Sequence, residues 1–167
     1  MDGTDCPIRE PGSSIGGFSP RWYCHKTKGP GVRYEVGVSI QGGDIVWVNG
    51  PYPCGSHNDK KIANMWIVNE ILPGEMIVAD SGYRIQGSCF STPSGNNTAN
   101  QRMQSVARSR HETVNARFKK FAILATAYRG DLNNHYYFFT SIAIMCQIAI
   151  DNGHKLFQLN FADNVVG

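Results

Sequence analysis

The 167-residue chain is 41% hydrophobic and carries a formal net charge of +3, which is ordinary for a globular domain and argues against wholesale disorder. Its five cysteines are scattered and form no Cys-x-x-Cys pair, which argues against a disulfide framework and a structural zinc knot. We therefore predict one domain over residues 1–167, with a core of ordinary size.

The first half of the chain predicts strands and one helix. Apolar residues alternate at period two over residues 32–40, and a Gln-Gly-Gly turn separates them from a second strand at residues 44–49. The second strand is apolar on both faces, so we expect it to lie inside the sheet. Helical periodicity over residues 59–72 predicts a helix that begins at Asp59, which we interpret as a helix cap.

A short apolar segment at residues 76–79 leads directly to Asp80. Ile77 and Val78 favour a buried strand, and the Ser81-Gly82 pair predicts a turn after the acid. Open α/β sheets place their chemistry at the carboxyl ends of strands, so Asp80 is a candidate active-site acid. Taken alone, an Asp in this context is more often a turn cap, and only further acids favour the functional interpretation.

Helices are predicted at residues 98–127 and 135–152, with a loop at 91–97 and a last strand at 156–161. The second helix is apolar nearly all round, so we expect it to be buried. Its apolar part, residues 136–150, is too short and too polar to cross a bilayer.

The helix at residues 98–127 carries an acid among cations. Residues 102–120 contain six Lys or Arg and one acid, Glu112, a local charge of +5 that is typical of a phosphate-binding face. At about 100° per residue, Arg108, Asn115 and Lys119 fall within roughly 60° of Glu112. The alternative is a solvated face in which Glu112 makes i,i+4 ion pairs.

Four sequence blocks follow one another along nearly the whole chain: DGTD at residues 2–5, VWVNGP at 46–51 with Gly55 and Asp59, ADSGY at 79–83, and RHETVNARFK at 110–119. Together they resemble the DDE superfamily endonucleases, that is, the Harbinger-type transposases and their domesticated descendants. The resemblance implies an α/β fold with an RNase H-like mixed sheet flanked by helices.

The resemblance also implies a site. Carried over by block, the catalytic and metal-binding triad is Asp2, Asp80 and Glu112, which would hold two Mg²⁺ or Mn²⁺ ions. By their position on the helix, Arg108, Asn115 and Lys119 are candidate DNA-binding residues. The implied partners are DNA and a separate DNA-binding protein, without a membrane, and the implied location is the nucleus.

The chain departs from the family pattern at its start, because no DNA-binding region comes first and only Met1 precedes Asp2. We therefore expect the first strand to be truncated and Asp2 to be frayed. Two functions stay open: a metal-dependent DNA endonuclease or transposase catalytic domain, with or without strand transfer, and a domesticated, inactive module that binds DNA or protein. An unrelated α/β domain with accidental matches is the third alternative.

Overall fold

The computed structural model describes residues 1–12, 19–84, 89–92 and 98–157. Over these residues the chain forms a mixed α/β fold, as predicted. The predicted loop at 91–97 and the predicted last strand at 156–161 fall largely outside the described residues. The elements are β1 (Asp2–Pro7), β2 (Tyr23–Cys24), β3 (Gly29–Val38), β4 (Ile45–Pro53), α1 (Asp59–Met65), α2 (Ile67–Glu70), β5 (Ile77–Val78), β6 (Phe90–Ser91), α3 (Thr98–Phe118), α4 (Ala122–Ala125) and α5 (Leu132–Asp151), with 3₁₀ turns at Pro20–Trp22 and Ser81–Tyr83.

β3 is the central strand of an antiparallel sheet. β1 pairs with β3 over all six of its residues, with Asp2 opposite Val36, and both β2 and β4 also pair with β3. β5 and β6 form a separate parallel pair. A hydrogen bond of 2.6 Å from the Met1 nitrogen to the Val78 oxygen connects this pair to the start of β1. The arrangement is compatible with the predicted RNase H-like class.

The pairing of Asp2 differs from what we expected. We expected a frayed Asp2, yet Asp2 is the first paired residue of β1 and the strand extends downstream from it. Residues 3–6 of this strand are all buried, which fixes the backbone beside Asp2. The first acid therefore lies on an ordered strand.

Alternate residues of β3 have different surroundings. Tyr34 and Val36 are buried in the larger hydrophobic cluster, where Tyr34 stacks on Phe139 of α5 with 3.8 Å between ring centroids. The intervening residues Arg33 and Glu35 are polar, and Arg33 binds a carboxylate of β1. Because successive strand residues point to opposite faces, the sheet has an apolar side packed on α3 and α5 and a side that carries charge.

Three element predictions were wrong in detail. In the described part of the chain β4 pairs only with β3, and Val46 is 63% exposed, so β4 is an edge strand and does not lie inside the sheet. The predicted helix at 59–72 is interrupted at Trp66, whose backbone is not helical, and the predicted helix at 98–127 ends at Phe118.

α5 is also less buried than expected. Phe139 and Cys146 pack in the core, but Tyr137, Ile144 and Ile148 are more than half exposed. Hydrophobic composition alone therefore overestimated its burial. None of the described helices is long and apolar enough to cross a bilayer.

Arg110 is a buried cation, although the sequence analysis counted it in a phosphate-binding face. It is 2% exposed, and its guanidinium donates to the backbone oxygens of Ser39, Ile40 and Phe157, the closest at 2.6 Å. These bonds join α3 to the β3–β4 turn and to the segment after α5. The role of Arg110 is to hold these three segments together.

We predict that Arg110→Met lowers the free energy of unfolding by about 2–4 kcal/mol, because backbone oxygens of three residues lose a charged donor. Arg108→Met is the matched control on the same helix, since Arg108 is exposed, and should change stability by no more than about 0.5 kcal/mol. Urea unfolding measures both variants. Equal effects would contradict the assigned role.

Candidate active site

Asp2 is positioned by the strand that it begins and by α3. Its Oδ1 accepts a hydrogen bond from the Gly3 backbone nitrogen at 2.8 Å, and its Oδ2 lies 3.4 Å from the Asn115 amide nitrogen. Two groups thus fix the orientation of the carboxylate. Asn115 therefore contacts Asp2, and its DNA-binding role stays a prediction.

His111 supports Asn115 from one helical turn earlier. Its Nε2 lies 2.7 Å from the Val36 oxygen and its Nδ1 lies 3.4 Å from the Asn115 amide nitrogen. Burial lowers the pKa of His111 to about 4, so the ring is neutral at pH 7. A neutral ring with the proton on Nε2 donates to Val36 and accepts from Asn115. The approach of His111 Nδ1 to Asp2 at 3.9 Å is therefore not an ion pair at neutral pH.

Asp80 lies two residues after β5, which is shorter than the predicted strand at 76–79 and only partly buried. Its Oδ1 accepts from the Gly82 nitrogen at 2.6 Å, which caps the short 3₁₀ turn after it. Ala79 and Tyr83, on either side, are fully buried in the smaller hydrophobic cluster with α1 and α2. Asp80 therefore caps the 3₁₀ turn, and the buried residues on either side hold its backbone in place.

Asp59 is the site residue that the sequence analysis misinterpreted. The cap of α1 is Asn58, whose side chain accepts from the Lys61 nitrogen, so Asp59 is not the cap. A Cβ added at Gly3 would lie 2.7 Å from Asp59 Oδ1. One added at Gly82 would lie 3.1 Å from Asp59 Oδ2 and 2.9 Å from an oxygen of Asp80. Two glycines thus leave room for Asp59 beside the other acids.

Asp2, Asp59 and Asp80 are near enough for their charges to affect the pKa values of Asp2 and Asp59. Burial raises the pKa of Asp2, Lys26 opposes the shift, and the charges of Asp80 and Asp59 add to it. Burial also raises the pKa of Asp59, with Arg33 opposing and Asp80 adding. Lys26, in the β2–β3 turn, is a nearby cation that the sequence analysis did not consider. Although Lys26 is exposed, its positive charge acts to lower the pKa values of Asp2 and Asp59.

A buried polar layer accompanies the three acids. Glu35 is fully buried, and neither of its oxygens has an aligned hydrogen-bond partner among the described residues. The Tyr83 hydroxyl is in the same situation. Burial raises the pKa of the Tyr83 hydroxyl, and the charges of Asp59, Glu35 and Asp2 raise it further. A buried hydroxyl and a buried carboxylate without aligned hydrogen-bond partners, near other acids, are compatible with a site that binds a cation through oxygen ligands.

Glu112 is exposed on α3, and it makes no hydrogen bond or ion pair with another described residue. It lies three residues before Asn115, on the neighbouring part of the same helix face. Its assignment as the third triad acid stays a prediction.

The predicted basic face of α3 is smaller than its sequence indicates. The Lys119 ammonium donates to the backbone oxygens of Asp5 and Leu124, and Arg117 donates to the Lys155 oxygen. With Arg110 buried, the exposed cations of the helix are Arg102 and Arg108, and Lys120 follows its end. Sequence spacing cannot distinguish a cation that binds carbonyl groups from one that faces solvent.

A second group of ligand-type side chains is linked to these acids through Arg33, which contacts both Asp5 and Asp59. Asp5, Cys24 and Cys54 have ligand atoms that are all within 4.8 Å of one another, and no other set of three among the described residues meets this limit. The absence of a Cys-x-x-Cys pair in the sequence argues against a structural zinc knot, but it does not test ligands that come from separate segments. The structure places Cys54 beside two such ligands, Asp5 and Cys24.

We predict that Glu35 makes stability pH-dependent. Burial raises its pKa from an ordinary 4.5 to about 7, although the nearby Asn49 and Trp47 donors oppose the shift. Between these values the folded state keeps a proton that the unfolded state has lost, so stability falls as pH rises. At about 1.4 kcal/mol per pKa unit the loss is about 3 kcal/mol.

Glu35→Gln should remove this loss, so that the variant matches the wild type near pH 4.5 and exceeds it above pH 7. Urea unfolding with a chelator present, across this pH range, measures the difference. Parallel stability curves for the two proteins would refute the assignment.

Comparison with known proteins gives one positive result. A family model described as DDE superfamily endonuclease matches residues 1–149, which includes every acid described above. No curated protein and no solved structure matches the chain.

Proposed function

Because the chain belongs to the DDE superfamily endonucleases, we propose that it is a divalent-metal-dependent nuclease that cleaves phosphodiester bonds in DNA. One observation supports the proposal: Asp2, Asp59 and Asp80, from β1, α1 and the segment after β5, lie near enough for the charges of the others to raise the pKa of Asp2, although their oxygens are not all within 4.8 Å of one another. A bound cation would remove this repulsion between like charges.

The donor set supports Mg²⁺ or Mn²⁺, because all three groups offer hard oxygen ligands. When bound, two such ions would neutralise the phosphoryl group, activate the attacking water and stabilise the leaving oxygen. Asp2, Asp59 and Asp80 would hold them, and we keep Glu112 as the fourth acid from its position on α3.

The chain's own residues supply orientation. Asn115 and the Gly3 nitrogen hold the two oxygens of Asp2, and the neutral His111 holds Asn115. The Gly82 nitrogen fixes one oxygen of Asp80. Fixed ligands lower the reorganisation needed when the substrate phosphate enters, which is the general contribution of a preorganised site.

DNA binding is proposed for the exposed part of α3 and for the β2–β3 turn. Arg108 is exposed near Glu112, and Lys26 places a positive charge beside the acids. Cations next to a metal site suit a polyanionic backbone. A Harbinger-type relationship, a nuclear location and a separate DNA-binding partner remain part of this proposal.

We predict that calorimetry detects Mn²⁺ binding to the wild type and that Asp80→Ala abolishes it, together with cleavage of supercoiled plasmid. Asp59→Asn should weaken Mn²⁺ binding about tenfold or more, because one oxygen ligand is replaced by a neutral amide. Thermal unfolding without metal monitors folding of each variant.

The matched control is Asp151→Asn, at the exposed end of α5, which should bind Mn²⁺ and cleave like the wild type. A folded wild type that binds no Mn²⁺ would refute the nuclease assignment, and the chain would then be a binding module without catalysis.

We further predict that Arg108→Gln and Lys119→Gln differ in their effects. Arg108→Gln should weaken binding to duplex DNA and lower the slope of log affinity against log salt by about one, with unchanged stability. Lys119→Gln should mainly lower stability, since Lys119 bonds two backbone oxygens. Fluorescence anisotropy at several salt concentrations and urea unfolding separate the two effects, and a reversed pattern would contradict the roles assigned.

A further inference from the structure

Asp5, Cys24 and Cys54 converge from three separate segments of the chain. Asp5 belongs to β1, Cys24 to β2, and Cys54 directly follows β4. Their ligand atoms all lie within 4.8 Å of one another. Asp5 and Cys24 are nearly fully buried and Cys54 is partly exposed, so the group has one side open to entry.

The backbone is built closely around this group. A Cβ added at Gly31 would lie 3.0 Å from Cys24 Cβ and 3.3 Å from Cys54 Sγ, so any side chain there would push the two thiols apart. A Cβ at Gly55, next to Cys54, would lie 1.9 Å from the Pro20 oxygen. Glycine at both positions lets the β4–α1 connection approach β2.

Hydrogen bonds hold the Asp5 carboxylate in place beside the thiols. Arg33 donates to both oxygens of Asp5, at 2.6 and 2.9 Å. The Cys24 thiol donates to Asp5 Oδ2 at 3.2 Å. The thiol proton therefore already lies between a sulfur and an oxygen, where a shared cation would bind.

We propose that Asp5, Cys24 and Cys54 bind one zinc ion. Two sulfurs and one oxygen are a ligand set for a borderline-soft divalent ion, and Mg²⁺ or Mn²⁺ would prefer the all-oxygen acids. Three protein ligands leave the fourth tetrahedral position for water. This site uses none of the proposed nuclease acids as a ligand, although Arg33 connects Asp5 to Asp59.

The binding step is balanced in charge. Zn²⁺ forms two bonds to sulfur, and the two thiols release two protons to solvent, so no electron is transferred. The total charge of the buried group is unchanged, and Arg33 keeps its ion pair with Asp5. A buried site can accept the ion without a new uncompensated charge.

Such an ion would connect β1, β2 and the β4–α1 connection. Arg33 also contacts Asp59, with 3.0 Å between Nη1 and Oδ1. An ion that fixes Asp5 and Cys54 therefore also fixes the position of Asp59 in the candidate active site. It acts through Arg33 and through the short segment between Cys54 and Asp59. The proposed zinc therefore has a structural role.

The test is titration of chelator-treated, phosphine-reduced protein with Co²⁺, which reports thiolate ligands through a sulfur-to-cobalt charge-transfer absorption. We expect one equivalent of Co²⁺ to give this absorption, Zn²⁺ to displace it, about two protons to be released per ion, and Zn²⁺ to raise the melting temperature. Wild-type protein that gives no such absorption would overturn the proposal without any variant.

Variants assign the site. Cys54→Ser, at a partly exposed position, should remove the absorption and the Zn²⁺ effect on melting, and Cys24→Ser should do the same. Cys89→Ser is the matched control in a different part of the fold and should behave like the wild type. Asp80→Ala should also keep the absorption, which separates this site from the nuclease acids. Retention of the absorption in Cys54→Ser would overturn the proposal.

Discussion

Arg33 is the cation on which the arrangement of acids depends. Its guanidinium binds both oxygens of Asp5 and contacts Asp59, and it lies on the charged side of β3, the same side as Glu35. Without it, buried carboxylates would face one another uncompensated, and removing one partner of a buried pair is strongly destabilising. The position of Asp59, and with it the candidate active site, rests on this one residue.

The negative charges of the acids are nevertheless only partly compensated by nearby cations, and this favours a functional role for them. Burial and mutual repulsion raise the pKa values of Asp2 and Asp59, and Glu35 lies nearby without an aligned partner. A protein selected for stability alone would not keep such a cluster. Local rules are commonly broken at functional sites, where a ligand completes the interactions. The incomplete charge compensation of these acids is therefore a structural observation on which the proposed metal site rests.

Local features near the candidate site were predictable, and the errors share one cause. A strand shortly before Asp80 and a turn after it were correctly predicted because β-propensity and a turn signal are local, although β5 is shorter and less buried than expected. Asp59 was interpreted as a cap because Asp at a helix start usually is one, and its neighbour Asn58 took that role instead. Arg110 and Lys119 were counted as surface cations, but they bind backbone oxygens from distant segments. Composition counts charges without showing what they face.

The sequence by itself determined the α/β class, the family and a strand shortly before Asp80, since these depend on periodicity and on blocks of adjacent residues. The tertiary structure decided which groups lie near one another: Asp59 near Asp2 and Asp80, Asn115 near Asp2, and Cys24 near Cys54. These contacts join residues that are far apart in the chain, and they depend on how β1, β3 and the β4–α1 connection pack together. Pairwise contacts of this kind have no local signal, because the spacing between the partners is set by the fold.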